Sequence, residues 1–416
     1  MTIAYRDGRL GMDGVPLADL ARRFGTPCYV YSGDAIAAAY GEYQRALAGR
    51  DALVCYSVKA NSNLAVLALM ARLGAGFDIV SGGELERVLA AGGDPGRVVF
   101  SGVGKTEEEI SRAINVGIRC LNVESEAELE HVSRIAQRTG KRAPVAFRVN
   151  PDIDAQTHPY ISTGLRDNKF GVGHDDALRL YRRAAGLPGI RVLGIGCHIG
   201  SQLLDRAPYV AAVRRLVALA DEIENSGIGL SHYDLGGGIG IRYGEEEPHS
   251  IGEFISGALE AIGDRRKTVI VDPGRSIVGS AGVLLTQVEY VKDSGSKRFL
   301  VTDVAMNDLL RPALYDAWHD VLPLDAPRPD DTPAEYDIVG PVCESADFIA
   351  RSRTMAARAG SFLAVCGAGA YGMSMSSNYN SRPRAAEVLV YRGSIHLVRR
   401  RERTEELFAS ESIPVW

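Results

Sequence analysis

The stretch Val54-Cys55-Tyr56-Ser57-Val58-Lys59-Ala60-Asn61 decides the fold prediction for this chain. An apolar run ends on Lys59, and a helical pattern of apolar residues from Leu64 to Met70 follows at once. This order is typical of a buried strand that leads into a helix. A lysine at the carboxyl end of such a strand is costly to desolvate, and partial desolvation leaves a neutral amine that can form a Schiff base. The alternative is a lysine that ends the strand and points into water, as most lysines do.

Further apolar runs follow this strand, and helical patterns separate most of them. The predicted strands are Leu53–Val58, Phe77–Val80, Val98–Phe100, Cys120–Val123, Val145–Val149, Val192–Cys197, Tyr233–Leu235 and Val269–Val271. Strands that alternate with helices in this way predict a (β/α)₈ TIM-like barrel, with a doubly wound sheet as the alternative. Functional residues of such a barrel follow its strands at one face. The residues at or near the strand ends are Lys59, Asp78, Asn122, Arg148, His198, Gly236–Gly238 and Asp272.

After about Ser280 the pattern changes to short strands joined by tight turns. The predicted strands here are Val283–Val291, Phe299–Asp303, Tyr336–Val339, Phe362–Val365, Ala386–Tyr391 and Ile395–Arg399, and a terminal helix is predicted over Glu402–Ser410. This pattern indicates a mainly antiparallel β domain. We therefore expect an α/β chain of two domains, a barrel over residues 27–279 and a β domain made of residues 1–26 and 280–416.

Composition excludes several classes of protein. The 416 residues carry a formal net charge of -5 and show no basic stripe, which argues against a nucleic-acid partner. No apolar run approaches the ~20 residues that a membrane span requires, and the amino-terminal segment is too polar for a signal peptide. The six cysteines lack metal-binding spacing and mostly lie in apolar runs. These features predict a cytoplasmic protein with reduced thiols, no metal and no membrane partner.

Three stretches in the barrel region carry residues suited to a phosphorylated, planar cofactor. Gly236-Gly237-Gly238 follows a strand, and glycines allow backbone N–H groups to converge on a phosphate, although a tight turn is an equally good explanation. His198 and Ser201 follow another strand and offer a flat ring and a hydroxyl. Asp272-Pro273-Gly274-Arg275 ends the last barrel strand. An acid there can keep a pyridinium charged, and the arginine can bind a carboxylate or phosphate; the alternative is a surface ion pair in a turn.

Polar stretches in the β domain have no explanation in turn chemistry alone. Arg311-Pro312-Ala313-Leu314-Tyr315 offers a cation and a phenol, and Cys343-Glu344 places a thiol beside a carboxylate after a strand. Gly367–Gly372 and Ser376–Asn380 form a loop rich in glycine and serine that includes Tyr371. The thiol is a candidate nucleophile, although no third residue completes a protease arrangement.

Together these stretches resemble the fold-type III pyridoxal-phosphate decarboxylases, most closely the diaminopimelate decarboxylases among them. The resemblance runs from about Thr26 to about Val388. Its motifs are Tyr56–Asn61, His158–Gly164 with Asn168–Gly171, His198–Gln202, Gly236–Gly238, Arg311–Tyr315, Cys343–Ser345, Gly369–Gly372 and Ser377–Asn380. Each motif alone is weak, and their order along the chain is specific.

The resemblance implies a carboxy-lyase that uses pyridoxal 5'-phosphate and converts meso-2,6-diaminopimelate, at its D centre, to L-lysine and CO₂ in the last step of lysine biosynthesis. It further implies a homodimer with shared active sites that the β domain completes. Catalytic roles fall to Lys59, which holds the cofactor, His198, which stacks on its ring, and Cys343, which protonates the carbanion from the partner subunit. The implied cofactor-binding residues are Lys59, Asp78, His198, Ser201, Gly237, Gly238, Asp272, Gly274, Arg275 and Tyr371. The implied substrate-binding residues are Arg275, Arg311, Tyr315, Glu344 and Tyr371. The family usually has glutamate where this chain has Asp272, so we expect a longer or water-bridged contact there.

Other activities of the same scaffold remain open at this stage. A decarboxylase of D-ornithine, D-lysine, carboxynorspermidine or a carrier- or siderophore-linked intermediate would use the same cofactor site. An amino-acid racemase would need a second base, typically a tyrosine, in place of the Cys343-Glu344 pair. A non-catalytic cofactor carrier would lack the β domain, and a Schiff-base aldolase would not need the triple glycine.

Overall fold

The computed structural model describes residues 3–154, 169–327 and 331–416. These residues form two compact units. The barrel unit is made of the described residues of Ala37–Ile241 and Glu246–Ile277, and the β unit of those of Met1–Ile36, Arg242–Glu245 and Val278–Trp416. No helix in the described ranges combines the length and the apolar character needed to cross a membrane.

The first elements in chain order are short strands and two helices. They are β1 (Ile3–Arg6), β2 (Arg9–Met12), β3 (Val15–Pro16), α1 (Leu17–Phe24), β4 (Cys28–Ser32) and α2 (Gly33–Ala46). Strand β4 pairs with two strands of the β unit. Its residues Cys28 and Val30 pack in the core of that unit with Val283, Leu285 and Val388. The barrel boundary at residue 27 stays a prediction.

The barrel unit alternates strands and helices, as the sequence predicts. Its strands are β5 (Ala52–Ser57), β6 (Gly76–Ile79), β7 (Val98–Phe100), β8 (Cys120–Val123), β9 (Ala143–Asn150), β10 (Val172–Gly173), β11 (Ile190–Gly196), β12 (His232–Asp234) and β13 (Thr268–Val271). Its helices are α3 (Leu64–Arg72), α4 (Gly82–Ala90), α5 (Glu107–Val116), α6 (Glu126–Thr139), α7 (His174–Gly186), α8 (Arg206–Asn225), α9 (Ile251–Ile262) and the short α10 (Arg275–Val278).

Parallel pairing closes the barrel. The strands pair in the order β5, β6, β7, β8, β9, β11, β12, β13, and β13 returns to β5, while β10 adds two residues beside β9. Because successive strand residues face opposite sides, alternate residues fill the interior. Leu53, Cys55, Val99 and Ile270 form a buried apolar cluster. The predicted TIM-like barrel is therefore confirmed, and the doubly wound sheet is excluded.

The β unit contains a three-stranded sheet of β1–β3 and a larger mixed sheet. Its later elements are β14 (Gly282–Asp293), β15 (Arg298–Thr302), α11 (Arg311–Tyr315), β16 (Val321–Pro323), β17 (Ala334–Val339), β18 (Phe348–Met355), β19 (Phe362–Val365), β20 (Ala386–Tyr391) and β21 (Ser394–Arg399). The large sheet runs β18-β17-β15-β14-β4-β20-β21, with β19 joining β14 to β16. Most pairs are antiparallel, and β15–β17 and β20–β4 are parallel.

Candidate active site

Lys59 stands in a short 3₁₀ turn, Val58–Ala60, at the carboxyl end of β5. The turn is fixed on both sides: Tyr56 Oη donates to the carbonyl oxygen of Asn61, and Asn63 caps helix α3 by accepting the N–H of Ala65. These bonds hold the backbone on either side of Lys59, whose side chain is 36% exposed. The lysine is therefore a partly desolvated amine at the open end of the barrel.

Asp78, at the end of β6, binds that amine. Lys59 Nζ lies 2.8 Å from Asp78 Oδ2, and the Asp78 carboxylate is almost fully buried. Ser57 Oγ lies 3.1 Å from the same Oδ2 and 2.9 Å from the carbonyl oxygen of Asp272. Ser101 donates to the other oxygen of Asp78 at 2.7 Å. The carboxylate is thus oriented by three neighbours, and it holds Lys59 in a defined position.

Three buried carboxyl groups meet in the barrel interior. They belong to Asp78, Asp234 and Asp272, which are 1%, 3% and 9% exposed. Burial raises the pKa of Asp234 to about 6, with the Asp78 charge adding to the effect. Burial raises the pKa of Asp272 well above its usual value, and the charges of Asp78 and Asp234 raise it further. The interior therefore favours a cation or a proton beside Asp272.

His198 and the glycine loop lie next to these carboxyl groups. The N–H of Gly237 donates to His198 Nδ1 at 3.3 Å, and Asp272 Oδ1 lies 3.8 Å from the same nitrogen. Burial lowers the pKa of His198 well below its usual value, and the cations of Arg148 and Lys59 lower it further. A neutral imidazole that accepts at Nδ1 carries its proton on Nε2. His198 is therefore an uncharged, oriented ring.

Close backbone packing explains why the loop consists of glycines. A Cβ at Gly237 would lie 2.3 Å from the carbonyl oxygen of Asp272, and one at Gly238 would lie 2.2 Å from that of Gly200. A Cβ at Gly274 would lie 2.9 Å from the Cβ atom of Ala60. These distances are too short for any side chain, so the glycines are required by packing whether or not a phosphate binds.

Arg275 and Ser201 form a second polar pair in the barrel unit. Arg275 is 6% exposed, and its guanidinium donates to Ser201 Oγ from Nε at 3.3 Å and from a terminal nitrogen at 3.0 Å. Arg275 is the first residue of α10, directly after the Pro273-Gly274 turn. The two side chains that the sequence assigned to an anionic group therefore lie in contact.

The β unit brings Cys343 and Glu344 together with the Ser377–Asn380 stretch. The N–H of Cys343 donates to Asn380 Oδ1 at 3.0 Å, and Tyr379 Oη donates a short hydrogen bond to Glu344. Buried Asp347 accepts the N–H of Met306 at 2.6 Å and that of Val342 at 2.8 Å, which secures the base of this loop. Cys343 and Glu344 are both exposed. A thiol and a carboxylate are thus held side by side on a braced loop.

Arg311, Tyr315 and Tyr371 occupy other parts of the β unit. Arg311 begins α11 and is 6% exposed, whereas Tyr315 ends that helix and is half-buried. Tyr371 has a left-handed backbone with φ of 57° and follows Gly369, at which a Cβ would lie 1.9 Å from the carbonyl oxygen of Val278. The loop that carries Tyr371 is therefore tightly fixed at its base.

Sequence reasoning did not single out Asp234 or His319. Asp234 ends β12 two residues before Gly236, and its Oδ1 accepts the N–H of Gly236 at 3.1 Å. Its place at a strand end was a signal that could have found it. His319 is fully buried beside Arg311, and no pattern in the sequence marks it. The predicted motif from His158 to Asn168 lies outside the described residues.

The residues present fit pyridoxal phosphate. Asp272 Oδ1 is buried and has no hydrogen-bond partner in the described part of the chain, which suits it to a protonated ring nitrogen. Lys59 supplies an amine, and Arg275 with Ser201 supplies donors for an anionic group. The same interior can therefore hold the ring, the aldehyde carbon and the phosphate of this cofactor.

Comparison with known proteins agrees with this chemistry. The family model described as pyridoxal-dependent decarboxylase, pyridoxal binding domain, matches residues 34–279. A diaminopimelate decarboxylase from Pseudomonas aeruginosa is 57% identical over 413 residues, which is 99% of both chains. One from Vibrio cholerae is 52% identical and covers 98% of this chain and 97% of its own.

The chain belongs to the diaminopimelate decarboxylase family. The predicted family, the decarboxylase class and the dependence on pyridoxal phosphate are thereby confirmed. Solved structures agree: diaminopimelate decarboxylase of Helicobacter pylori complexed with L-lysine has a TM-score of 0.92 at 43% identity, and covers 95% of this chain and 99% of that one. The enzyme of M. jannaschii in co-complex with L-lysine has a TM-score of 0.95 at 36% identity, covering 99% and 98%. An arginine decarboxylase of Paramecium bursaria Chlorella virus, 20% identical with a TM-score of 0.79, shares the fold.

Proposed function

We propose that the chain decarboxylates meso-2,6-diaminopimelate at its D centre and releases L-lysine and CO₂, the last step of lysine biosynthesis. The observation that carries this proposal is the grouping of Lys59, Asp78, His198 and Asp272 in one barrel interior, in a chain 57% identical to a diaminopimelate decarboxylase over nearly its whole length. Pyridoxal phosphate, when bound, supplies the electron sink that the loss of CO₂ requires.

In the barrel unit, the positions of the side chains support the following roles. Lys59 holds the cofactor through the amine that Asp78 orients. Asp272 offers to the ring nitrogen its Oδ1, which no described residue hydrogen-bonds. A cation at that position lowers the pKa of the carboxyl and keeps it ionised. His198 provides a flat, uncharged surface for the ring. Ser201, Gly237, Gly238 and Gly274 bind the phosphate end together with Arg275.

In the β unit, the proposed roles concern the substrate and the proton. A carboxylate and an amine need a cation and an acid as partners. The distal amino-acid group of diaminopimelate is therefore bound by Arg311, Tyr315 and Glu344, together with Arg275 and Tyr371. Tyr371 also contacts the cofactor phosphate. Cys343 donates the proton that replaces CO₂, and its exposure on a braced loop leaves the thiol accessible.

We further propose a cytoplasmic homodimer in which Cys343 of one chain serves the site of the other. Support for the compartment comes from the six cysteines, all in described positions, which are free thiols. Support for the shared site comes from the exposure of Cys343 and Glu344. Mixing inactive Lys59→Ala and Cys343→Ala chains tests this arrangement, because a random mixture restores about a quarter of wild-type activity if sites are shared. Mixtures that stay inactive overturn it.

Product analysis tests the reaction. Purified, cofactor-loaded protein is incubated with meso-diaminopimelate and, separately, with D-ornithine, D-lysine and L-arginine. We expect L-lysine and CO₂ from diaminopimelate alone. Release of CO₂ from another amine, with none from diaminopimelate, would keep the cofactor chemistry and assign the chain to a related decarboxylase. Racemisation without CO₂ release would overturn the proposal.

A further inference from the structure

A fully buried histidine, His319, contacts Arg311 in the β unit. Arg311 donates from a terminal nitrogen to His319 Nε2 at 2.8 Å, and His319 Nδ1 lies 2.8 Å from the carbonyl oxygen of Cys366. His319 is 0% exposed and Arg311 is 6% exposed. A guanidinium can only donate and a carbonyl can only accept. His319 therefore accepts at Nε2 and donates from Nδ1, which defines a neutral imidazole with its proton on Nδ1.

The ring of Tyr243 also packs against this pair. The Arg311 guanidinium carbon lies 4.3 Å from the centre of the Tyr243 ring, and that ring meets the His319 ring edge-on at 5.2 Å between centres. An aromatic face attracts a guanidinium without neutralising it. A neutral imidazole also attracts a guanidinium without neutralising it, through the lone pair on its ring nitrogen. Neither contact cancels the positive charge of Arg311, in contrast to an ion pair with a carboxylate.

We propose that His319 is a positioning residue that orients the guanidinium of Arg311 for the distal carboxylate of the substrate. This inference rests on the function proposed above, in which Arg311 binds that carboxylate. The imidazole fixes one donor of the guanidinium, and because it is itself uncharged it does not neutralise the cation. Bidentate recognition of a carboxylate depends on the orientation of the planar fork, so loss of this contact weakens substrate binding more than it slows the chemical step.

Two substitutions separate the two hydrogen bonds of the imidazole. The amide of glutamine reaches the position of Nε2, so His319→Gln retains an acceptor for Arg311. The amide of asparagine reaches the position of Nδ1, so His319→Asn retains the donor to the Cys366 carbonyl and loses the acceptor. We expect His319→Asn to raise KM for diaminopimelate about tenfold with kcat within about threefold of wild type. His319→Gln stays within about threefold for both constants.

Two inhibitors test whether the effect acts through a carboxylate. L-lysine retains the carboxylate that Arg311 is proposed to bind, and cadaverine lacks it. In His319→Asn we expect the inhibition constant of L-lysine to rise with KM and that of cadaverine to stay unchanged. Any of three results would show a merely structural role of His319 and overturn the inference. They are equal losses of affinity for both inhibitors, equal effects of the two substitutions, and a fall in kcat at constant KM.

Two further measurements do not depend on the folding of these variants. The ¹⁵N shifts of the His319 imidazole in wild-type protein should show the neutral form protonated on Nδ1; an imidazolium or a proton on Nε2 overturns the inference. Tyr243→Leu should raise KM more than Tyr243→Phe, which keeps the ring; equal values also count against it. Wild-type protein that shows this imidazole form but releases no CO₂ from diaminopimelate would refute the proposed substrate and leave the Arg311–His319 contact established.

Discussion

Lys59 donates a hydrogen bond to Asp78 across 2.8 Å, from an amine at the edge of solvent to a carboxylate that is almost fully buried. The Asp78 carboxylate is held in place, because Ser57 and Ser101 also bind it. The amine of Lys59 is therefore held in position by Asp78 and remains accessible from solvent. This combination suits a residue that must bond to a cofactor and later release it to a substrate amine.

Replacement of Lys59 tests the cofactor assignment. We expect Lys59→Ala to abolish turnover and the visible absorption band of bound pyridoxal phosphate, because no other group would bond to its aldehyde. Lys141→Ala is the matched control, since Lys141 is an exposed lysine of the barrel unit that donates to the Asn115 carbonyl. A Lys59→Ala protein that keeps both the band and the activity would refute the assignment.

Replacement of Asp272 tests its contact with the cofactor ring. Asp272→Asn removes the charge that holds a proton on the ring nitrogen, so we expect kcat to fall about 10²-fold or more. Asp272→Glu keeps the carboxylate on a longer side chain, so we expect kcat to remain within about tenfold of wild type. Steady-state kinetics measure both. Asp221→Asn, at a half-buried ion pair with Arg265, is the control. Equal activity of Asp272→Asn and wild type would contradict the role.

Cys343 offers a test of the proton donor. It is the exposed member of six cysteines, all within described segments, and the other five are buried. We expect Cys343→Ala to lower kcat about 10²-fold, typical of the loss of a general acid, with cofactor still bound. A thiol reagent should inactivate wild-type protein and modify Cys343 first. Proton donation would have to be reassigned if Cys343→Ala kept the wild-type rate.

His232 predicts a pH dependence of stability. Burial lowers its pKa from 6.5 to about 3, and its Nε2 has no hydrogen-bond partner in the ranges that the structure describes. Below about pH 6.5 the unfolded chain binds a proton that the folded chain does not, so the free energy of unfolding falls as pH falls. The contribution is about 2 kcal/mol between pH 7 and pH 5.

The measurement compares urea unfolding of wild type and His232→Gln at both pH values. We expect the wild type to lose about 2 kcal/mol more than the variant over this interval. The exposed His249→Gln should retain the wild-type slope. Parallel slopes for wild type and His232→Gln would show that this imidazole does not titrate as its burial suggests.

The sequence predicted the barrel because its signal is local. A buried strand needs a continuous apolar run, and the runs at Val98–Phe100 and Cys120–Val123 match the observed strands residue for residue. The terminal helix predicted over Glu402–Ser410 is wrong, since only the 3₁₀ turn Thr404–Glu406 forms there. That segment is mostly exposed, and a short helix without a packed face is marginal in water.

The candidate site was predictable only in part. Strand ends meet at one face of a barrel, so position alone pointed to Lys59 and Asp78. The contact of His319 with Arg311 depends on the loop path after α11, for which no periodicity exists. Asp234 was not predicted because the glycines that follow it are the stronger signal in the sequence, although its carboxyl accepts the N–H of Gly236.

The packing of Gly369 against the Val278 carbonyl limits how this enzyme can be redesigned. A library that varies the loop around Tyr371 will lose every member with a side chain at position 369, because nothing larger than hydrogen fits there. Efforts to accept a longer or shorter diamino acid should therefore leave that loop intact and vary Glu344 and Tyr379 together instead, because these exposed side chains are hydrogen-bonded to each other.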